Sequence, residues 1–277
     1  MSESVLHPIH AIPGFAEPVA SWLHLLAAVV GLVLTYKLVR AGRTLASRLG
    51  IGVFAVGAVF LFAMSGTYHL LPMDTVGRAV LLRLDHAAIW VMIAGTITAL
   101  QMTSVTGAWR WAMTGVTWAA AITGLVLKTV FFEDLSEGVT LTLYLGLGWL
   151  GSVAFWRLIK LQGFDLAKPI LLGGVVYTLG AVIDFVAPPH LVPGVVGPHE
   201  IFHVAVIAGA ALHAWGIHRL ARDVELPSRV ELLHPAAHGD DGAVFGDEPR
   251  LRTVGLGLPD LEVLLPLRDP VADHEAG

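Results

Sequence analysis

Cysteine is absent from all 277 residues, which excludes a disulfide framework, a thiolate nucleophile and any Cys-type zinc or iron–sulfur site. Charge is scarce as well: 14% of residues are Asp, Glu, Lys or Arg, against roughly 25% in an ordinary soluble domain. That shortage argues against a freely soluble globular protein. The charges are also unevenly placed. Residues 1–222 hold 13 Lys/Arg and 10 Asp/Glu, while residues 223–277 hold 4 and 12, giving +3 and −8. The chain therefore divides into an apolar body and an acidic tail. Any metal has to be held by histidine and carboxylate, and thirteen histidines are available.

Apolar residues make up 55% of the chain, and they fall in runs. A bilayer-spanning helix needs about 20 mostly apolar residues, because every backbone polar group must be bonded within the segment once water is gone. Val19–Tyr36, Leu49–Met73, His86–Trp109, Trp111–Leu127, Gly138–Trp156 and Ile201–His218 contain no Asp, Glu, Lys or Arg, and Pro169–Pro198 contains only Asp184. These predict an all-α, seven-helix transmembrane bundle, with an N-terminal segment at 1–18, a membrane domain at 19–222 and a tail at 223–277. Residues 1–18 carry Glu3 and Glu17 but no Lys or Arg, so they lack the basic start of a signal peptide and the first helix is expected to be retained. The tail is rich in Pro, Gly and Asp with one apolar island at Leu261–Leu267. Disorder is expected of it, with a docking or regulatory role as the alternative.

Loop charge gives an orientation, since Lys and Arg in short loops favour the cytoplasm. One side holds Arg78, Arg83 and Lys128; the other holds Lys37, Arg40, Arg43, Arg48, Arg110, Arg157, Lys160, Lys168, Arg219, Arg222 and Arg229. The expectation is a multi-pass protein of the cell membrane with its N-terminus outside and its tail in the cytoplasm.

Parity tells which polar residues share a leaflet, because odd spans start and even spans end on the N-terminal side. His69 ends the second span, Asp85 and His86 open the third, His199 and His203 open the seventh, and His24 sits early in the first. The four-residue spacing of His199 and His203 puts both imidazoles on one helix face about 6 Å apart, and Ser65 and His69 repeat it. A catalytic zinc takes three protein ligands and leaves one position open. His69, His199 and His203 would supply the three, with Asp85 placed as general base and Ser65 to orient a ligand or bond a substrate oxygen. Against this, Asp85 could instead cap the third helix. Asp184 could line the same site or sit at the water interface. His24, His86 and His213 read as interfacial or hydrogen-bonded residues, His213 being about 15 Å along its helix from His203 at 1.5 Å per residue. Trp22, Trp109, Trp111 and Trp156 fit an interfacial aromatic belt.

Three motifs in order, Ser65-Gly-Thr-Tyr-His69, Arg83-Leu-Asp85-His86 and His199-Glu-Ile-Phe-His203 followed by Val204-Ala-Val-Ile-Ala-Gly, resemble the signatures of the hemolysin III and progestin/adiponectin receptor family. The likeness covers about residues 17–220, including Glu17, His24 and Gly173-Gly-Val-Val-Tyr177. It implies a seven-helix bundle with zinc on His69, His199 and His203, and Ser65 and Asp85 close by. The wider group includes alkaline ceramidases, which cleave a lipid amide. One departure is Gly95-Thr-Ile-Thr-Ala99, which stands where the family often has a Gly-x-Tyr-Thr-Pro-like stretch. Another is orientation, since adiponectin receptors keep their N-terminus in the cytoplasm.

The resulting expectation is a zinc-dependent hydrolase of a lipid-like amide or ester, taking a membrane lipid as substrate and no nucleic acid, with protein partners left open. Two alternatives stand beside it. One is a non-enzymatic receptor or membrane-perturbing hemolysin with structural zinc. The other is an intramembrane metalloprotease that reads His199-Glu200-Ile-Phe-His203 as a zincin motif with Glu200 as base.

Overall fold

The structure is a computed structural model that describes residues 9–223 and, further on, the backbone of 251–255 and 262–266. Among the described residues seven helices follow one another: α1 (Pro18–Arg40), α2 (Leu45–Leu70), α3 (Val76–Ser104), α4 (Ala108–Val130), α5 (Glu137–Gln162), α6 (Phe164–Val186) and α7 (Pro198–Asp223). The shortest has 23 residues and the longest 29, or about 35–44 Å at 1.5 Å rise per residue, against a hydrocarbon core of roughly 30 Å. All seven are long and apolar enough to cross a membrane. Their outward faces carry exposed Leu, Val, Trp and Phe side chains, such as Leu32 and Val33 on α1 and Val186 on α6.

Local sequence sets the helix ends. Thr44, Thr75 and Ser136 cap α2, α3 and α5, their side-chain oxygens accepting the backbone N–H of Ser47, Arg78 and Val139, which satisfies donors that a helix start leaves free. Pro18 and Pro198 occupy first helical positions, where a missing N–H costs nothing. Inside the spans, Thr35, Thr67, Thr96, Thr98, Ser104, Thr114, Thr123, Thr142 and Thr178 donate back to the carbonyl four residues earlier. Their hydroxyls are thereby satisfied within their own helices.

Two spans begin or end elsewhere than the apolar runs suggest. The third helix starts at Val76, ten residues before His86, so Asp85 and His86 lie in its third turn and not at its start. Thr75 takes the capping position, which removes the cap role as an account of Asp85. The sixth helix runs from Phe164 to Val186 and is closed by Ala187 in the left-handed region, so the stretch up to Pro198 is a connecting loop. Pro169 lies inside α6 and cannot bond the Asp165 carbonyl; Arg219 of α7 donates to that oxygen at 3.2 Å.

The centre is built on α2 and α3, with Ile51, Phe54, Leu61, Phe62, Met92 and Leu100 buried beside Ile217 and Leu220 of α7. Two glycines allow the close approaches that matter for the polar end of the bundle. A Cβ at Gly66 of α2 would come within 2.8 Å of the Leu25 backbone nitrogen on α1, and the Ser21 hydroxyl donates to the Gly66 carbonyl at 2.8 Å. A Cβ at Gly180 of α6 would come within 2.4 Å of the Ala205 Cβ on α7. These contacts press α1 onto α2, and α6 onto α7, close to the N-terminal side.

The chain divides into two units, Met1–Leu226 and Pro227–Gly277. In the second, β1 (Leu251–Gly255) pairs antiparallel with β2 (Glu262–Pro266), Thr253 opposite Leu264. β2 lies within the apolar island. These ten residues fall in the tail for which disorder is expected; its remaining residues beyond Asp223 lie outside the described ones.

Candidate metal centre

Four elements bring polar side chains together at the N-terminal side of the bundle. His69 stands in the last turn of α2, His199 and His203 in the first two turns of α7, Glu17 just ahead of α1, and Asp184 in the last turn of α6. Nε2 of His203 lies 3.0 Å from Nε2 of His199, which lies 3.3 Å from Nε2 of His69. One ligand atom from each of the three lies within 4.8 Å of the others. The expected triad is therefore assembled from two helices far apart in sequence, and it can hold a metal ion.

The tautomers support that reading. His69 Nδ1 lies 2.7 Å from Glu17 Oε2, and His199 Nδ1 lies 3.1 Å from Asp184 Oδ1. A carboxylate only accepts, so both Nδ1 atoms carry hydrogen, which in the neutral rings leaves both Nε2 atoms as acceptors. Acceptor nitrogens at such short range repel unless a cation or a shared proton lies between them. Zn–N bonds of 2.0–2.1 Å in tetrahedral geometry separate the nitrogens by about 3.3–3.4 Å, close to the observed spacings. A carboxylate behind a ligating histidine is also the usual outer support of such a site.

Glu17 is itself held in place. Its backbone N–H donates to the His69 carbonyl at 3.0 Å, and the Ala16 N–H to the Leu70 carbonyl at 3.2 Å. Arg78, buried in α3, donates to the same Glu17 oxygen as His69, and also to the carbonyls of Tyr68 and Leu71. Burial alone would raise the Glu17 pKa, but its hydrogen bonds and charge interactions with His69 and Arg78 outweigh that and hold it at about 2. It is a carboxylate at any physiological pH.

The expected partners sit beside the triad. Ser65 is buried one turn before His69, its hydroxyl reaches the Asp85 carboxylate, and Asp85 lies within electrostatic range of His199. The other histidines separate into two kinds. His86 donates from Nδ1 to the Leu82 carbonyl at 2.9 Å, and His213 from Nε2 to the Ile170 carbonyl at 3.1 Å; both are hydrogen-bonded residues, as expected. His24 differs in its setting. It is 2% exposed, its ring reaches the backbone of His203, and it stacks on the His203 ring with centroids 3.9 Å apart and planes 17° from parallel.

Of the residues around the triad, Glu17 had no role in the sequence reading, and His24 was read only as an interfacial or hydrogen-bonded residue. Their spacing was the available signal: seven residues is nearly two full turns, so both face the cluster from one side of α1. Asp184 stands at the site, on His199, with its side chain still about a third exposed. Glu200, by contrast, turns its carboxylate back to accept the Gly197 N–H at 2.8 Å, an N-terminal capping arrangement.

Comparison with known proteins gives the family. A profile described as "Haemolysin-III related" matches residues 15–214, a span that includes Glu17, all three motifs and the whole histidine cluster. "Hemolysin-3" of Bacillus cereus is 30% identical over 163 residues, covering 58% of this chain and 69% of the relative. "Hemolysin-3 homolog" of Bacillus subtilis (strain 168) is 27% identical over 162 residues, covering 57% and 71%. With seven membrane-crossing helices and that match over most of its length, this chain is a multi-pass membrane protein belonging to the haemolysin-III-related family.

Proposed function

We propose that the protein is a zinc-dependent hydrolase of a lipid-like amide or ester, with the ion on His69, His199 and His203. The observation that supports it most is the convergence of three Nε2 atoms within 4.8 Å, two of them set as acceptors by Glu17 and Asp184. Three imidazoles with a position left open form a common zinc hydrolase donor set, although imidazole also suits copper, iron and nickel. Bound there, zinc would polarise a carbonyl and lower the pKa of water. The Asp85 carboxylate takes the proton that the attacking water gives up. Ser65 orients that carboxylate from one turn below His69. The apolar flanks of the helices admit an acyl chain from the bilayer, and the polar cluster near the membrane surface receives the head of the molecule. We place the N-terminus and this cluster outside the cell, because the span ends and loops on that side hold three Lys/Arg and those on the other side eleven.

The test is metal content and activity together. Purified full-length protein should carry about one zinc per chain and hydrolyse ceramide, a long-chain lipid amide, and Asp85→Ala should abolish hydrolysis while retaining zinc. A metal-free, inactive preparation overturns the proposal.

A second reading has an observation in its favour. α2 and α7 pack against each other only sparsely, so an ion shared by His69 and the two α7 histidines would tie the bundle together. That is what a receptor or membrane-perturbing protein with structural zinc would need. It expects Asp85→Ala to leave function intact and His203→Ala to unfold the protein. The metalloprotease reading has less support, because Glu200 is engaged in capping α7.

A further inference from the structure

Residues 10–17, ahead of α1, run from one ligand-bearing part of the bundle to the other. At one end the Ala16 and Glu17 N–H groups donate to the Leu70 and His69 carbonyls of α2 at 3.2 and 3.0 Å. At the other end the His10 N–H donates at 2.8 Å to the carbonyl of Gly194, in the loop that leads into His199 and α7. Between them Ile12 and Phe15 exchange backbone hydrogen bonds of 3.0 and 2.9 Å around Pro13-Gly14, with Gly14 at φ 85°. Proline followed by a glycine of positive φ suits a type II turn, so this strap is stiff. Phe15 also stacks on Trp22 of α1, ring centroids 5.0 Å apart.

The loop that receives the strap is braced as well. Val192 and Val196 exchange backbone hydrogen bonds of 3.1 and 2.9 Å, and Glu200 holds the Gly197 N–H at 2.8 Å. A path of hydrogen bonds and short chain therefore joins His69 to the start of α7, although α2 and α7 themselves pack sparsely. Its two ends are unequal. Glu17 is held by the His69 and Arg78 side chains as well as by its backbone. The His10 end has, among the described residues, one backbone hydrogen bond and its ring over Gly194, where a Cβ would come within 2.5 Å of the imidazole. Residues 10–14 are exposed, so the His10 end is the one that can let go.

We propose that residues 10–17 form a clasp that regulates how fast the centre exchanges its metal ion. Closed, the clasp holds the ends of α2 and α7 at the spacing the three imidazoles need. With His10 released from Gly194, the ligands part more readily and the ion leaves. This rests on the metal-centre reading above, and it assigns control of ion retention to a segment that supplies no ligand.

Full-length protein loaded with Co2+, whose visible absorption reports the bound ion, is mixed with excess EDTA and the loss of absorption is timed. His10→Pro removes the N–H that Gly194 accepts, and Gly194→Val drives a side chain into the His10 ring. Each should release Co2+ about three- to tenfold faster than wild type, the range expected for one lost hydrogen bond. His10→Ala keeps the N–H and should stay within about twofold. So should Ile97→Val, a buried change further along α3 of comparable cost to stability. An unchanged rate in either His10→Pro or Gly194→Val overturns the clasp. Release from His10→Ala as fast as from His10→Pro overturns it too, because the imidazole and not the strap would then be responsible. Equal acceleration by Ile97→Val overturns it by showing that general loosening is enough. Wild-type protein that binds no Co2+ overturns the metal centre itself, and this inference with it.

Discussion

Glu17 and His69 are joined twice, by the Glu17 backbone N–H on the His69 carbonyl at 3.0 Å and by the His69 Nδ1–H on the Glu17 carboxylate at 2.7 Å. The first bond fixes where the carboxylate is, and the second fixes which imidazole nitrogen is free. Arg78 on the same carboxylate oxygen keeps it charged. Glu17→Gln therefore loses the negative charge behind the ligand and should weaken metal binding about 10- to 100-fold, the usual effect of removing such support. It also leaves Arg78 buried without its counter-ion, which adds a stability loss unrelated to the metal. The double variant Glu17→Gln/Arg78→Met separates the two. Thermal stability should recover while metal affinity, measured by competition with a chelator, stays low.

Asp184 supports His199 in the same way, with weaker grip. The contact is longer, 3.1 Å, and the Asp184 and His199 side chains are 34% and 42% exposed, whereas those of Glu17 and His69 are 19% and 2% exposed. A more exposed pair is more strongly screened by salt. Asp184→Asn should lower metal affinity by less than Glu17→Gln, about tenfold at low ionic strength, and the loss should shrink as salt is added. Equal, salt-independent losses from the two variants would show that exposure does not govern the difference.

Much of this site could be read from the sequence because membrane depth makes polar residues informative. His69, His199 and His203 stood out as ionisable side chains near the ends of apolar runs, and span parity put them in one leaflet. The exact start of α3 did not stand out. Arg78 and Arg83 broke the apolar run, although the helix continues through both, with Arg78 buried against Glu17 and two carbonyls. A charge that is paired inside the bundle is indistinguishable, in sequence, from one that ends a span. The place of His24 was legible only in part: its spacing from Glu17 puts both on one side of α1, whereas its stacking on His203 depends on how α1 packs against α7.

Glu200 separates the two ways of reading the His199–His203 segment. As a general base it would be indispensable to a metalloprotease. As the cap of α7, bonded to the Gly197 N–H, it contributes stability alone. Glu200→Gln keeps a side-chain oxygen able to accept that bond, so it should lower stability by no more than about 1 kcal/mol and leave metal content and hydrolysis within about twofold of wild type. Abolished hydrolysis with full metal occupancy would restore the protease reading.

The native chain has no cysteine, so a single introduced thiol reports its own side of the membrane without a cysteine-free background having to be engineered. Met73→Cys lies between α2 and α3, next to the metal-centre side, and Ala108→Cys opens α4 on the opposite side; both positions are exposed. The unequal distribution of Lys and Arg between the two sides predicts that a membrane-impermeant maleimide labels Met73→Cys in intact cells and labels Ala108→Cys only after the membrane is opened. The reverse pattern would put the histidine cluster at the cytoplasmic surface. A substrate head would then have to come from the inner leaflet, and the acidic tail would lie outside the cell.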